Sequence, residues 1–314
     1  MDAVAVAERF DLGGSARLSE GPVARGKQGV VWQLTTSAGR WAVKVPFSAS
    51  NEDEVMLATQ FQEAAYSAGV PTPQVRRTRE GHVFATIATT QVRVYEWVDL
   101  LPPDVRLDPA LVGSAVAAIH RIGVSDVGPP HPWYYEPVGA DHWDQLVDRL
   151  LEADAPFAGQ LRDLRDELVA LELWIEPPQS LQVCHRDLWA DNVLPTAAGG
   201  ICVIDWENSG AADPNQELAC LLFEFGRTDP RRVRALLDAY RLAGGPAAVS
   251  RRGDFSMLIA ALGHITAIAA ADWLEPNQRS PSRADSAAWI AEVFEEPHTR
   301  DVLDTLLHHA TVER

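Results

Sequence analysis

Residues 183–208 of the chain read VCHRDLWADNVLPTAAGGICVIDWEN. Two short apolar runs in this stretch are separated by a segment with two adjacent glycines, a pattern that predicts a β-hairpin. Asp187 and Asn192 precede the first predicted strand, and Asp205 directly follows the second. The chain is therefore expected to place polar side chains on both flanks of one hairpin.

The polar residues of this stretch are those that phosphoryl transfer requires. The order His185-Arg186-Asp187-Leu188, with Asn192 five residues after Asp187, is that of a kinase catalytic loop. A carboxylate in such a loop orients the attacking hydroxyl and accepts its proton, so Asp187 is the candidate catalytic residue. Asn192 and Asp205 are the candidate Mg²⁺ ligands, because Mg²⁺ binds oxygen donors. A chance set of polar loop residues is the alternative, and the joint pattern disfavours it.

On these residues the chain resembles the aminoglycoside phosphotransferase family, a part of the wider protein-kinase-like group. Asp205-Trp206-Glu207 and the later segment 210–219, GAADPNQELA, are similar to that family, whereas protein kinases carry Asp-Phe-Gly and a long activation segment. Only seven residues separate Asp205 from Asp213, which leaves no room for such a segment. Two residues depart from the family pattern, which usually has Gly in place of Arg186 and Asp in place of Glu217.

The resemblance implies an α+β class, with a bilobal protein-kinase-like fold. We expect a β-rich ATP-binding N-lobe over residues 1–98 and a mostly helical catalytic and substrate-binding C-lobe over residues 99–314. From Pro109 the apolar residues recur at helical spacing, which agrees with the second assignment. His120 follows that apolar face and is interpreted as a packed structural histidine.

Lys44 is the candidate contact to the phosphates of ATP. It lies in the alternating segment 41–45, about fifteen residues after a glycine-containing loop, as the strand lysine of kinases does. Lysine is seldom buried without a partner, so a glutamate on the helix predicted over 51–68 should pair with it. Glu63 is our choice. Glu52 and Glu54 are alternatives, but their place in the first helical turn is already explained by the helix dipole.

Two further segments are expected to hold the nucleotide. The loop 25–29 would cover the phosphates through its backbone N–H groups and the Gln28 side chain, although a plain hairpin turn explains its glycines equally well. The resemblance places a hinge between the lobes at residues 92–99. There the adenine would bond to the Glu96 carbonyl and the Val98 N–H.

Carboxylates are frequent after the predicted hairpin. Glu207, Asp213 and Glu217 are candidates for holding an ammonium or hydroxyl group of a substrate, although Glu217 near a helix start is also simply stabilising. The net charge of −17 favours a cationic substrate by long-range attraction, or serves only solubility. It argues against a nucleic-acid partner, which requires basic patches.

We therefore predict an enzyme that uses ATP and Mg²⁺ to transfer the γ-phosphate to a hydroxyl of a small molecule. An amino sugar or aminoglycoside is the favoured acceptor. A neutral sugar, choline or a hydroxy amino acid is the alternative. A nucleotide-binding regulator without turnover is disfavoured by the intact set of Lys44, Asp187, Asn192 and Asp205.

The remaining composition indicates a cytoplasmic protein. The N-terminus is acidic and has no basic region of a secretory signal, and the apolar stretches fall short of the roughly 20 residues of a membrane span. The three cysteines form no CxxC pair and are interpreted as buried free thiols of a reducing compartment. We expect a monomer or homodimer without a membrane partner.

Overall fold

The computed structural model describes residues 1–26, 29–48, 52–124, 128–275 and 282–312, without the side chains of residues 52–54. Its chain divides into two units. The first comprises residues 1–107 and 185–210, and the second comprises residues 108–184 and 211–314.

The regular elements follow the predicted order of strands first and helices later. The strands are β1 Arg17–Leu18, β2 Ala24–Arg25, β3 Gly29–Thr36, β4 Gly39–Pro46, β5 Val75–Arg76, β6 Ala85–Ile87, β7 Thr90–Glu96, β8 Gln182–Cys184, β9 Val193–Pro195, β10 Ile201–Val203 and β11 Gly210–Ala212. The α-helices are α1 Ala3–Arg9, α2 Glu52–Ser67, α3 Pro109–His120, α4 Ala140–Glu152, α5 Ala158–Glu172, α6 Pro214–Leu221, α7 Pro230–Leu242, α8 Ser256–Leu274, α9 Arg283–Glu295 and α10 Arg300–Thr311. Shorter helical turns are Pro132–Tyr134, Trp206–Asn208, Leu222–Gly226 and Arg252–Phe255.

An antiparallel sheet forms the body of the first unit. Its order is β1-β3-β4-β7-β5, with β2 on β3 and β6 on β7. Buried residues of the central strands and of the first helix make its core, which includes Val6, Phe10, Leu34, Val43 and Val92. Side chains point alternately to the two faces of a strand, so Lys44 and Arg93 lie on the face opposite Val43, Val92 and Val94.

Gly29 is required at the start of β3. A Cβ atom there would lie 2.4 Å from the carbonyl oxygen of Val45 on the paired strand. Any side chain would therefore push β3 and β4 apart where the glycine loop ends and β3 begins. Ala24 and Arg25 pair with Val31 and Val30, so the segment around the loop is a hairpin, as predicted.

The predicted hairpin is formed by β9 and β10, with Val193 opposite Val203. Gly199 and Gly200, both at φ 86°, form its turn. The Val203 N–H donates to the Pro71 carbonyl at 2.7 Å. This bond helps to explain why residues 185–210 group with the first unit. The first unit therefore extends to residue 107 and gains 185–210, which differs from the predicted division at residue 98.

Helices dominate the second unit, and three of them begin with the same dipeptide. Asp108, Asp213 and Asp229 each cap a helix with the side chain and are each followed by proline. The aspartate side chain accepts hydrogen bonds from the free N–H groups of the first turn. Proline is tolerated at the next position because a backbone N–H there would have no partner within the helix. Helix α6 thus begins at Pro214, three residues before the predicted start at Glu217.

The long apolar helix of the second unit is a core element. Among the described residues, Arg252–Leu274 has the length and hydropathy of a membrane span, which the sequence analysis did not anticipate. However, 61% of its apolar window is buried by the rest of the protein. Trp143, Leu150 and Leu161 of α4 and α5 belong to the same core as Ala270 and Trp273 of α8. This packing accounts for its apolar composition.

Candidate active site

Lys44 lies in the central strand β4, opposite Val31 of β3 and Arg93 of β7. Its Nζ atom donates to Asp205 Oδ1 at 2.7 Å and to Glu207 Oε1 at 2.7 Å, and its side chain is 19% exposed. Burial alone would lower the pKa of Lys44, but the carboxylates of Glu207 and Asp205 outweigh it and raise that pKa. Lys44 is therefore a fixed positive charge held next to Asp205.

Glu207 is shared by two cations. Besides Lys44 it accepts a hydrogen bond from Arg93 Nη1 at 2.8 Å, and Arg93 Nη2 donates to Thr59 Oγ1 at 3.0 Å. Burial acts to raise the pKa of Glu207, but its contacts to Asp205, Lys44 and Arg93 lower it. Burial and the neighbouring Glu207 carboxylate raise the pKa of Asp205. The four side chains form one charged network in the first unit.

The prediction that Glu63 pairs with Lys44 is wrong. Glu63 forms a two-bond ion pair with Arg77, with Arg77 Nε at 2.7 Å from Oε1 and Nη2 at 2.8 Å from Oε2. Arg77 therefore occupies the carboxylate that was expected to bind Lys44. The side chains of the alternatives Glu52 and Glu54 lie outside the described residues.

Arg93 was not identified from the sequence, although a signal was present. It stands in the alternating segment 90–96, TQVRVYE, between the buried residues Val92 and Val94. A cation at a buried strand position requires an acidic partner, which is the argument that identified Lys44. The same argument applied to β7 would have pointed to a second buried ion pair.

Asp187 lies in the loop between β8 and β9 and is half-buried. Its carboxylate Oδ2 accepts a hydrogen bond from Asn208 Nδ2 at 3.0 Å, and its backbone carbonyl accepts one from Asn192 Nδ2 at 2.9 Å. Asn208 was not predicted, and only its position three residues after Asp205 relates it to the motif. The Asp187 carboxylate is thus held in one orientation, as a residue that orients a nucleophile must be.

Asn192 and Asp205 flank the hairpin as predicted. The Ile204 N–H donates to the Asn192 carbonyl at 2.9 Å, which brings the two flanks to the same end of β9–β10. Asp205 adopts φ 61°, a conformation that non-glycine residues rarely hold, and the turn Trp206–Asn208 follows it. The Asn192 Nδ2 atom donates to the Asp187 carbonyl, which leaves the Asn192 Oδ1 atom as a possible metal ligand. The pair fits a hard cation such as Mg²⁺.

The remaining nucleotide-binding predictions concern backbone groups. Glu96 ends β7, and its N–H donates to the Gln74 carbonyl at 2.9 Å. Val98 follows two residues later. Their contacts to adenine remain predictions. Gln28 lies outside the described residues.

Two predicted acceptor-binding residues have structural roles in the second unit. Asp213 is 2% exposed and accepts hydrogen bonds from the N–H groups of Asn215, Gln179 and Ser180 at 2.8 to 3.1 Å. Glu217 is 1% exposed and lies 2.8 Å from His120 Nε2. Because neither carboxylate faces solvent, the assignment of both to acceptor binding is wrong. The Glu207 carboxylate binds Lys44 and Arg93, and its contact to an acceptor remains a prediction.

The buried histidine of α3 is structural, as predicted. His120, Cys184 and Glu217 bring three possible metal-binding atoms within 4.8 Å of one another. However, His120 Nδ1 bonds to Tyr240 Oη at 2.7 Å and its Nε2 to Glu217, so both ring nitrogens already have protein partners. Cys184 Sγ lies 3.7 Å from the Ala212 carbonyl. These contacts account for the cluster without an ion.

A family model decides the assignment of the chain. The model described as the phosphotransferase enzyme family matches residues 21–251, well over half of the sequence. The chain belongs to the phosphotransferase enzyme family. The match contains Lys44, Asp187, Asn192 and Asp205, so this phosphotransferase is an ATP-dependent small-molecule kinase.

Solved structures share the fold of this phosphotransferase. A spectinomycin phosphotransferase, solved with ADP and spectinomycin, superposes with a TM-score of 0.69 at 14% identity, covering 98% of each chain. An aminoglycoside phosphotransferase from Alicyclobacillus acidocaldarius gives 0.66 at 18% identity, covering 96% of this chain and 95% of that one. A choline/ethanolamine kinase family protein from Mesorhizobium loti gives 0.52 at 21% identity, covering 93% and 92%. No curated protein sequence matches the chain. These superpositions establish the protein-kinase-like fold.

Proposed function

We propose that this phosphotransferase transfers the γ-phosphate of ATP to a hydroxyl of a small amine-bearing molecule, an aminoglycoside or another amino sugar. The observation that carries the phosphoryl-transfer part is the set of Lys44, Asp187 and Asp205 within the first unit, with Lys44 paired to Asp205 at 2.7 Å. The net charge of −17 supports a cationic acceptor through long-range attraction.

The proposed reaction is an in-line displacement. Asp187 orients the acceptor hydroxyl and accepts its proton as the new bond forms between the acceptor oxygen and the γ-phosphorus. The bond from that phosphorus to the β–γ bridging oxygen breaks, and ADP leaves with the electron pair. Lys44 binds the phosphates, and Asn208 keeps the Asp187 carboxylate turned toward one direction.

Mg²⁺ is the proposed metal, and Asn192 and Asp205 would hold it. A bound cation would neutralise charge on the phosphates during transfer. Asp205 already binds Lys44 through Oδ1, and its side chain is 37% exposed, which supports a role for its carboxylate at a solvent-accessible ion. The adenine would bond to the Glu96 carbonyl and the Val98 N–H.

An amino alcohol is the second candidate acceptor. The carboxylates that favoured an amino sugar, Glu207, Asp213 and Glu217, are engaged by protein groups in the structure. A choline/ethanolamine kinase family protein and an aminopropanol kinase share the fold, alongside the spectinomycin and aminoglycoside enzymes. The acceptors in these names carry an amine or quaternary ammonium group together with a hydroxyl, and this shared chemistry supports the wider class.

The three buried, free cysteines support the proposed cytoplasmic location. Cys184, Cys202 and Cys220 are all unbridged, and burial raises the pKa of the Cys202 thiol to about 12. Such thiols are compatible with a reducing compartment.

ADP release tests the proposal. Mg-ATP would be supplied with spectinomycin, kanamycin, glucosamine, ethanolamine, choline, glucose or homoserine, with Asp187→Asn as the inactive control. We expect turnover with an amine-bearing acceptor, inhibited by other amines and not by glucose. Turnover confined to glucose would contradict the acceptor class. Tight ATP binding without ADP release for any acceptor would instead favour a nucleotide-binding regulator.

A further inference from the structure

Arg186, the residue before Asp187, has an unusual backbone conformation. Its φ of 65° lies in the left-handed region, where an L side chain is strained and glycine is not. Among the non-glycine residues described, a positive φ is also found at Asp11, Ser15, Ala88, Asp154, Asp205 and Arg227. Glycine at position 186 would remove the strain. Because the strain persists only where other contacts offset it, we expect the Arg186 side chain to make stabilising contacts.

The side chain of Arg186 reaches the segment that follows Asp205. Its Nε atom donates to the Asn208 carbonyl at 2.6 Å. Its guanidinium covers Gly210, where a Cβ atom would lie 2.6 Å from Nη2 and 2.7 Å from Cζ. The absence of a side chain at Gly210 gives the guanidinium its space. Arg186 thus ties the catalytic loop to residues 208–210 within the first unit.

Asn208 links Arg186 to the Asp187 carboxylate. Arg186 holds the backbone of Asn208, and the side chain of Asn208 donates to Asp187 Oδ2 at 3.0 Å. Arg186 and Asp187 are adjacent in sequence, yet the contact between them runs through a residue 21 positions further along the chain. Loss of the guanidinium would free the turn Trp206–Asn208 and, with it, the orientation of the Asp187 carboxylate.

We propose that Arg186 is a positioning residue for phosphoryl transfer, which acts through Asn208 on the Asp187 carboxylate and depends on the space left by Gly210. The inference rests on the proposed function, because the orientation of Asp187 matters only if Asp187 receives the acceptor proton. It predicts a defect in kcat with little change in the KM for ATP, since Arg186 acts on the catalytic carboxylate and not on Lys44.

The test compares two arginines that both have a positive φ. Arg186→Gly and Arg227→Gly each replace such an arginine with glycine, and Arg227, at φ 50°, lies in the second unit with ion pairs to Glu224 and Glu296. With the best acceptor of the panel, Arg186→Gly should lower kcat about 10- to 100-fold, a loss typical of misplaced reacting groups. Arg227→Gly should keep the wild-type kcat, and Arg186→Lys should recover part of the loss.

Two double variants separate positioning from general stability. In the Asn208→Ala background, Arg186→Gly should cost less than about threefold, because the group through which Arg186 acts is already gone. Gly210→Ala should lower kcat by displacing the guanidinium and should add little in the Arg186→Gly background. Additive losses in both pairs, or a wild-type kcat for Arg186→Gly, would overturn the inference while leaving the proposed function intact. No ADP release by the wild-type protein would overturn the proposed function and this inference with it.

Discussion

Lys44 and Glu207 are joined by a 2.7 Å ion pair across 163 positions of sequence. The carboxylate that fixes the strand lysine therefore comes from the turn after the catalytic hairpin, and Arg93 binds the same carboxylate from the neighbouring strand. The partner was predicted on helix α2, but the residue of that helix in this network is Thr59, whose hydroxyl accepts a hydrogen bond from Arg93. One glutamate thus compensates two cations of the sheet.

Glu207→Gln should weaken ATP binding and lower stability. The amide cannot neutralise Lys44 and Arg93, and removal of one member of a buried ionic group typically costs about 3 to 5 kcal/mol. Because the Glu207 side chain is 18% exposed, we expect about 2 to 3 kcal/mol in urea unfolding, with a raised KM for ATP and an unchanged KM for the acceptor.

Glu63→Gln is the matched control for Glu207. It removes a more exposed ion pair, with side chains 29% and 34% exposed, and should cost less than about 1 kcal/mol without affecting ATP binding. A rise in the KM for ATP in Glu63→Gln, with none in Glu207→Gln, would restore the helix glutamate as the partner of Lys44.

Asp187→Asn should lower kcat about 10²- to 10⁴-fold, the range for loss of a general base. Asparagine keeps the size of the side chain, so ATP affinity measured by calorimetry and the thermal midpoint should stay close to wild type. Asp191→Asn changes an exposed carboxylate of the same loop and should leave kcat unchanged. Equal kcat values for the two variants would remove Asp187 from the mechanism.

Glu217 should affect stability and not the acceptor. Glu217→Leu leaves the buried His120 Nε2 without its partner, at an expected cost of about 1 to 3 kcal/mol, whereas Glu217→Gln retains an oxygen and should cost less. Urea unfolding measures both variants, and the acceptor KM of the folded proteins should match wild type. A raised acceptor KM in Glu217→Gln with unchanged stability would reinstate the substrate role.

His298 should make the second unit sensitive to acid. It is 1% exposed, and burial lowers its pKa from 6.5 to about 4 despite the opposing charge of Glu167. The folded state therefore resists protonation while the unfolded state accepts a proton below pH 6.5. The contribution of His298 is fully present above that pH and is lost as the pH falls toward 4.

The stability difference between wild type and His298→Gln measures this effect. Between pH 7.5 and 4.5, wild type should lose about 2 to 3 kcal/mol relative to the variant in urea unfolding. His142→Gln, at an exposed position of α4, is the control and should follow wild type over the whole range. A wild-type curve parallel to that of His298→Gln would show that the histidine is not protonated on unfolding.

The hairpin and most elements were predictable from sequence because they depend on local patterns. Alternation in β3, β4 and β7 and the paired glycines of the turn fix strand pairing over short distances. The partner of Lys44 was not predictable, because the sequence does not show which glutamate lies near Lys44, and Glu63 pairs with Arg77 only through tertiary packing.

The acceptor residues failed for a related reason. Asp213 and Glu217 were grouped by proximity in sequence, but their side chains turn into the second unit, where they cap a helix and bind His120. The sequence alone does not show which side chains at the start of a helix are exposed to solvent. A role for Arg186 was not predictable, since its positive φ and its contact to Asn208 appear only in three dimensions.

The assignment of residues 185–210 to the first unit has a consequence for synthesis on the ribosome. When residue 107 has been translated, the sheet already carries Lys44 and Arg93, but Asp205 and Glu207 do not yet exist. At roughly 5 to 20 residues per second, a wait on the order of 10 s separates the two events. The charged network of Lys44, Arg93, Asp205 and Glu207 can therefore form only after the hairpin has been translated.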